Sequence, residues 1–154
     1  MSVLGALQNR LVAVNSVRSQ LVLAAYARWE GVTPRPPQPV RADYGRAFRA
    51  HRFDLLVENG ALVGLVETVA EGDELLIVNV AVHPDRQGEG HGVRLLRHAE
   101  ALARADKLKG TRLYTNRLMA TNIALYERLG YVREKETESE PGMVAVHMVR
   151  SLAP

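Results

Sequence analysis

The chain has 154 residues, 47% of them hydrophobic and 24% charged, with a net charge of +3 and no cysteine. This length and apolar content suit one domain with a real core, spanning residues 1–154. Without cysteine there is no disulfide, no thiolate-ligated zinc site and no cysteine acyl-enzyme, so any acyl transfer must go directly to its acceptor or through another nucleophile.

The apolar runs are broken by Arg, Asn or Glu well short of about 18 residues, and no basic segment followed by an apolar core opens the chain. Neither export nor membrane spanning is expected, and a cytoplasmic setting fits. The pI near 9.5 invites a nucleic-acid reading. Its bases are scattered through Arg10, Arg18, Arg28, Arg41, Arg46, Arg104, Lys107 and Lys109 with no helix-turn-helix, zinc spacing or aromatic interleaving. They read as a solvated surface that steers small anions, and no nucleic-acid partner is expected.

In chain order, Arg10 to Val14 is a candidate first strand, although residues 1–15 show no clean alternation. Ser16 reads as the N-cap of a helix from Val17 to Trp29 with an apolar stripe through Leu21, Ala24 and Ala25. The proline-rich run Thr33 to Pro39 must be a loop, and a short helix is expected from Ala42 to Ala50. Phe53 to Glu58 and Ala61 to Val69 read as strands joined by an Asn59-Gly60 hairpin turn. Gly72-Asp73 turns the chain into Leu75 to Val82, whose near-continuous apolar run suits a strand buried on both faces.

Beyond His83-Pro84-Asp85, a helix is predicted from Val93 to Ala105. Val93, Leu95, Leu96, Ala99, Leu102 and Ala103 lie on one face, Arg94, Arg97, Glu100 and Arg104 on the other, and Gly110 acts as its stop. A strand from Arg112 to Thr115, a helix from Thr121 to Leu129 and strands at Tyr131 to Glu134 and Val144 to Val149 complete the pattern. The polar stretch Arg133 to Glu140 reads as a mobile hairpin connection. This order predicts an α/β (α+β) fold with helices on both faces of the sheet.

Between the apolar strand and the amphipathic helix lies Gln87-Gly88-Glu89-Gly90-His91-Gly92. Glycines there allow a tight turn that presents several N–H groups, and the helix adds its unpaired first-turn donors and the positive end of its dipole, a cradle for phosphate. A P-loop would need a Lys-Ser or Lys-Thr after the glycines, and a dinucleotide fingerprint would need its third glycine one position later. A glycine-rich turn that binds nothing is the bland alternative.

Two motifs in order separate these readings. Gln87, Gly90 and Gly92 match the Gln/Arg-x-x-Gly-x-Gly/Ala signature of the GNAT family of acyl-CoA-dependent N-acetyltransferases. Leu113-Tyr114-Thr115-Asn116 followed by Asn122 to Tyr131, with Tyr126 and Gly130-Tyr131, resembles that family's later strand–helix–Gly-Tyr motif. The resemblance implies a mixed, mostly antiparallel central sheet of six to seven strands, acetyl-CoA as cosubstrate and an amine acceptor. It places the cofactor phosphates on the N–H groups of Gly88, Glu89, Gly90, His91, Gly92 and Val93, with Arg94 or Arg97 as side-chain help. Thioester and pantetheine would lie on the backbone of the strand around Val80, Ala81 and Val82.

For catalysis the resemblance points to Tyr126 as the acid that protonates the departing thiolate, against the plain reading of a Tyr covering the core. The Asn that many members carry seven residues before the Tyr is Met119 here. Asn122 stands four before it, as a cofactor contact or a helix-start residue. Where some members carry a carboxylate base this chain has Leu76, so the base falls to Glu67, with Glu74 and His83 next and water-relayed deprotonation also open. An exposed strand-end Glu is usually only solvated.

The acceptor wall would include Trp29, the proline loop, Tyr44 and His51. The acceptor would be a small amine, an amino acid or a protein N-terminus, and no metal is assigned. Val144 to Val149 offers an edge for a homodimer by analogy with relatives. The second reading is a non-catalytic acyl-CoA sensor or interaction module that kept the cradle and lost the base.

Overall fold

The computed structural model describes residues 20–32 and 50–152. The expectations for Arg10 to Val14, Ser16, the proline loop and Tyr44 lie outside these residues, as does the Ala42 to Ala50 helix except for its last residue, Ala50, which is helical. Residues 20–26 are helical (α1) and pass into a single 3-10 turn, Ala27–Trp29. Then come β1 (Arg52–Glu58), β2 (Ala61–Glu71), β3 (Glu74–Val82), α2 (His91–Ala105), β4 (Gly110–Asn116), α3 (Ala120–Arg128), β5 (Val132–Glu140) and β6 (Met143–Ser151). The strands form one six-stranded sheet in the order β1-β2-β3-β4-β6-β5, antiparallel everywhere except between β3 and β4.

Both early turns follow from their residues. Asn59 and Gly60 take φ values of 52° and 78°, the double left-handed geometry that suits a right-twisted two-residue hairpin. Gly72, at φ 60°, opens the β2–β3 turn. Helices cover both faces of the sheet. Leu21, Val22 and Ala25 of α1 pack on Phe53, Leu55, Leu65 and Ala81. On the opposite face Leu95, Leu96, Ala99 and Ala103 of α2 join Ile123 of α3 over Val66, Ile77, Leu113, Val146 and Met148.

Strand β3 is not buried on both faces. Leu75, Ile77, Asn79 and Ala81 are buried, whereas Leu76, Val78, Val80 and Val82 are only partly so. Its register against β2 runs Glu67↔Asn79 and then Thr68↔Ile77, which leaves Val78 as an extra residue. This bulge exchanges the two faces. Before it Leu75 and Ile77 face α2, and after it Val80 and Val82 take that side while Asn79 and Ala81 face α1. Ladder pairing with β4 stops at Ile77↔Leu113, immediately before the bulge, and the strands run apart beyond it.

Three further expectations are corrected. Arg133 to Glu140 is not a loose connection but the edge strand β5, paired along β6 and exposed over almost its full length. Backbone pairing holds it, and charged side chains suit an edge that must not recruit further strands. Val144 to Val149 therefore lies inside β6, between β4 and β5, and offers no edge for a dimer.

Gly110 does not stop α2. The helix ends at Ala105, Lys107 takes the left-handed position at φ 58°, and Gly110 opens β4 where a Cβ would stand 2.5 Å from the Arg150 carbonyl oxygen. Gly110→Ala is expected to cost roughly 1–3 kcal/mol by forcing β4 from β6. Lys107→Gly should gain up to about 1 kcal/mol by relieving a left-handed side-chain residue. Urea midpoints of the two variants against wild type test both, and a stable Gly110→Ala protein would contradict the close approach.

Candidate active site

The divergence of β3 and β4 opens a cleft of about 320 Å³. Its floor is Val80 and Val82 of β3. Gln87, Gly88, Gly90, His91, Gly92 and Val93 line one end, and Asn122, Leu125 and Tyr126 of α3 the opposite wall, with Ala25, Tyr26 and Arg28 closing over from α1 and its following turn. Residues far apart in sequence thus meet in one groove that leads from the glycine loop to the tyrosine.

The main chain is prepared for a ligand. His83 N–H donates to the Val63 carbonyl at 2.7 Å, so in the β2–β3 ladder Val80 and Val82 direct their own N–H and C=O groups away from β2, into the gap. The Val82 carbonyl accepts from the Gln87 amide at 3.1 Å, which ties the loop to the strand. Gly88 and Gly90 adopt φ values of 81° and 86°, and Gly90 is the N-cap of α2, whose first N–H groups have no side-chain cap. Left-handed glycines next to an uncapped helix start form a concave anion site. At Gly92 a Cβ would meet nothing within 4 Å, so the backbone leaves room there that the fold itself does not use.

The loop's side chains form an ion network. Arg86 donates to Glu58 at 2.6 Å and to Glu89 at 3.0 Å, and Arg94 donates to Glu58 at 2.9 Å. Hydrogen bonds from both arginines hold the Glu58 carboxyl below its usual range. His91 is buried at the start of α2 with Nε2 3.3 Å from Glu89. Arg97 is turned to the buried Glu100 at 2.8 Å and does not line the cleft. Arg86 and Arg28 do. In the sequence Arg28 counts among the scattered surface bases and Arg86 is not singled out, although Arg86 directly precedes the signature glutamine.

Among the other expected positions, Ala81 is buried on the α1 face and Glu89 stands outside the cleft, paired with Arg86. Asn122 lines the cleft one helical turn before Tyr126, while Met119 is buried at the start of α3. Tyr126 packs edge-on to Tyr131 with ring centroids 6.0 Å apart. Burial, and then the neighbouring Tyr131, push its hydroxyl up to about 12, so it holds its proton across the working pH range.

Glu67 is neither exposed nor at a strand end. It lies within β2, 2% exposed, and accepts a hydrogen bond from His51 Nδ1 at 2.9 Å. Burial raises its carboxyl above the ordinary range despite that bond. Glu74 is paired with Arg112 at the far end of β3. His83 accepts from the Asp85 N–H, a turn role. Trp29 lies in the turn after α1. Among the described residues no group of three or more His, Asp or Glu is placed to hold a metal.

The model of the acetyltransferase (GNAT) domain matches residues 49–133, more than half of the chain. The chain belongs to the GNAT acetyltransferase family. It is similar to a mycothiol acetyltransferase of Nocardiopsis dassonvillei, 30% identical over 118 residues that make up 75% of this chain and 35% of that relative. The chain thus spans about a third of the relative's length. Its fold matches the ribosomal-protein-S18-alanine N-acetyltransferase of Escherichia coli with a TM-score of 0.75, at 20% identity over 100% of this chain and 93% of that one. It also matches a GNAT family acetyltransferase of Elizabethkingia anophelis with acetyl-CoA bound, with a TM-score of 0.72, at 15% identity over 99% and 96% of the chains. No helix among the described residues is long and apolar enough to cross a membrane.

Gly92→Val should leave the melting temperature of the free protein nearly unchanged, because its side chain enters open space, and should remove whatever rise in melting temperature added acetyl-CoA produces in wild type. Glu58→Gln should remove the negative charge shared by Arg86 and Arg94, leaving Arg86 paired with Glu89 alone, and tighten any acetyl-CoA binding roughly two- to five-fold at low salt, with the gain fading as salt is added. Calorimetric titration at two ionic strengths checks the second expectation.

Proposed function

We propose that this protein is an acetyl-CoA-dependent N-acetyltransferase that passes the acetyl group directly to a primary amine of a small molecule, an amino acid or a protein N-terminus. The observation that carries the reading is the single groove in which unpaired main-chain groups of β3 run from the glycine cradle to Tyr126. Acetyl-CoA, when bound, supplies the acetyl group already activated as a thioester. The N–H groups of Gly88 to Val93 would hold its diphosphate, with Arg86 adding charge, and the Val80 main chain would orient the pantetheine arm.

Tyr126, a phenol that is neutral at working pH and whose hydroxyl burial pushes up to about 12, keeps a proton ready for the sulfur that departs. Glu67 is the carboxylate on the acceptor side. Its Cα partner across the ladder is Asn79, the neighbour of Val80, and both Glu67 and Asn79 lie on the α1 face. A buried carboxylate with raised proton affinity, outside the cleft lining but one ladder pair from the lining residue Val80, supports an enzyme over a non-catalytic acyl-CoA sensor, for which such a group has no use.

Free thiol released from acetyl-CoA in the presence of alaninamide, an alanyl peptide, free amino acids and spermidine tests the activity. At least one amine should raise release above hydrolysis, and tight acetyl-CoA binding without amine-dependent release would favour the sensor. Tyr126→Phe should lower kcat roughly 100-fold with little change in KM. For the active amine the rate should rise with pH through a limb above the ordinary carboxylate range, since Glu67 works only when ionised. No alkaline limb from Tyr126 should appear below about pH 11, given its position near 12.

A further inference from the structure

The Glu67 carboxylate is held asymmetrically. Oε2 takes the His51 Nδ1–H at 2.9 Å, while Oε1 has no hydrogen bond among the described residues. His51 sits in the bend just before β1, 26% exposed, and its Nε2 likewise has no partner among those residues. Asn79, opposite Glu67 on β3, accepts from the Tyr26 hydroxyl at 3.1 Å, and Tyr26 is a wall of the cleft. From β4, Tyr114 reaches toward the same place. Its hydroxyl is raised by burial and then by the charges of Glu67 and of Glu71, further along β2.

A contrast within the molecule shows what a structural pair looks like. Asp54, 1% exposed, is saturated by Arg52 on both oxygens and by His98, and it faces α2 rather than the groove. Glu67, which lies outside the lining of the cleft, keeps Oε1 without a hydrogen bond among the described residues.

We propose that His51 is a positioning residue for the transferase reaction: its Nδ1–H fixes Glu67 through Oε2, keeps the carboxylate ionised despite burial and leaves Oε1 to receive the acceptor's proton. This rests on the transferase reading above. As the carbon–nitrogen bond forms, the nitrogen gives its proton to Oε1. The carbon–sulfur bond breaks with its electron pair on sulfur, which takes the Tyr126 proton. The carboxyl then returns one proton to solvent and the phenolate recovers one, so the protein ends as it began. An imidazole N–H to a carboxylate is a charge-stabilising bond that favours the ionised form.

The experiment compares His51→Ala, His51→Asn and Glu67→Gln with wild type. Carboxyl-carbon NMR of the whole protein, which needs no acceptor, should show Glu67 titrating roughly one pH unit higher in His51→Ala. His51→Asn, whose amide N–H can stand where Nδ1–H stood, should return it toward wild type. With acetyl-CoA and whichever amine of the panel is active, the acid limb should move up in His51→Ala, with KM for acetyl-CoA unchanged and the lost rate regained at high pH. Glu67→Gln should abolish that limb. An unmoved Glu67 titration in His51→Ala, or a rate loss equal at every pH, overturns the proposal. If wild type releases no thiol with any amine, the transferase reading falls instead, and the carbon NMR decides the His51 claim by itself.

Discussion

One extra residue in β3 governs the rest of the site. In a regular ladder every main-chain group of a central strand is taken by its two neighbours, and a sheet offers a ligand nothing but side chains. Val78 breaks the register against β2, and ladder pairing with β4 ends one residue before it, at Ile77 and Leu113. The consequence is a central strand whose Val80 N–H and C=O and Val82 N–H are turned from β2 into a gap, while the Val82 carbonyl is taken by Gln87. Orphaned main-chain groups are costly unless they find water or a ligand. The fold keeps them at the mouth of a groove, where both are available.

The glycine loop and the bulge depend on each other. The Gln87 amide caps the Val82 carbonyl, so the cradle is anchored to the end of the splayed strand, and the left-handed Gly88 and Gly90 turn the chain straight into α2. Leu95 and Leu96 of that helix seal the sheet beneath. At Gly64, a Cβ would stand 2.8 Å from the Ala81 carbonyl oxygen and 3.0 Å from Leu95, so α2 and the strands meet there with no room for a side chain. Cradle, strand and helix form one packed unit, and a ligand spanning them would find its contacts already in place. That preorganisation reduces the ordering cost of binding.

Much of this was legible before any coordinates. Asn59-Gly60 fixed the first hairpin, the 3.6-residue stripe of α2 announced its buried face, and the spacing of Gln87, Gly90 and Gly92 singled out the cradle. What stayed hidden was tertiary. The apolar run in β3 looked doubly buried because Val80 and Val82 are apolar for a different reason: they line the groove. The part of β5 beyond Glu134 reads as a connection because its charges show no apolar alternation, yet pairing to β6 needs only backbone. His51, in the bend before β1, and Glu67, within β2, lie sixteen positions apart, and no local pattern marks them as partners. Arg97 looked available until Glu100, one turn on, was seen to hold it.

On this reading the open main chain of β3 and the glycine loop are where acetyl-CoA binds. Amide hydrogen exchange with and without saturating acetyl-CoA reads it directly. The account predicts slower exchange at Val80, Val82 and residues 88–93, with β5 and β6 unchanged. Binding that leaves those amides exchanging as before, or protects a different surface, would contradict it.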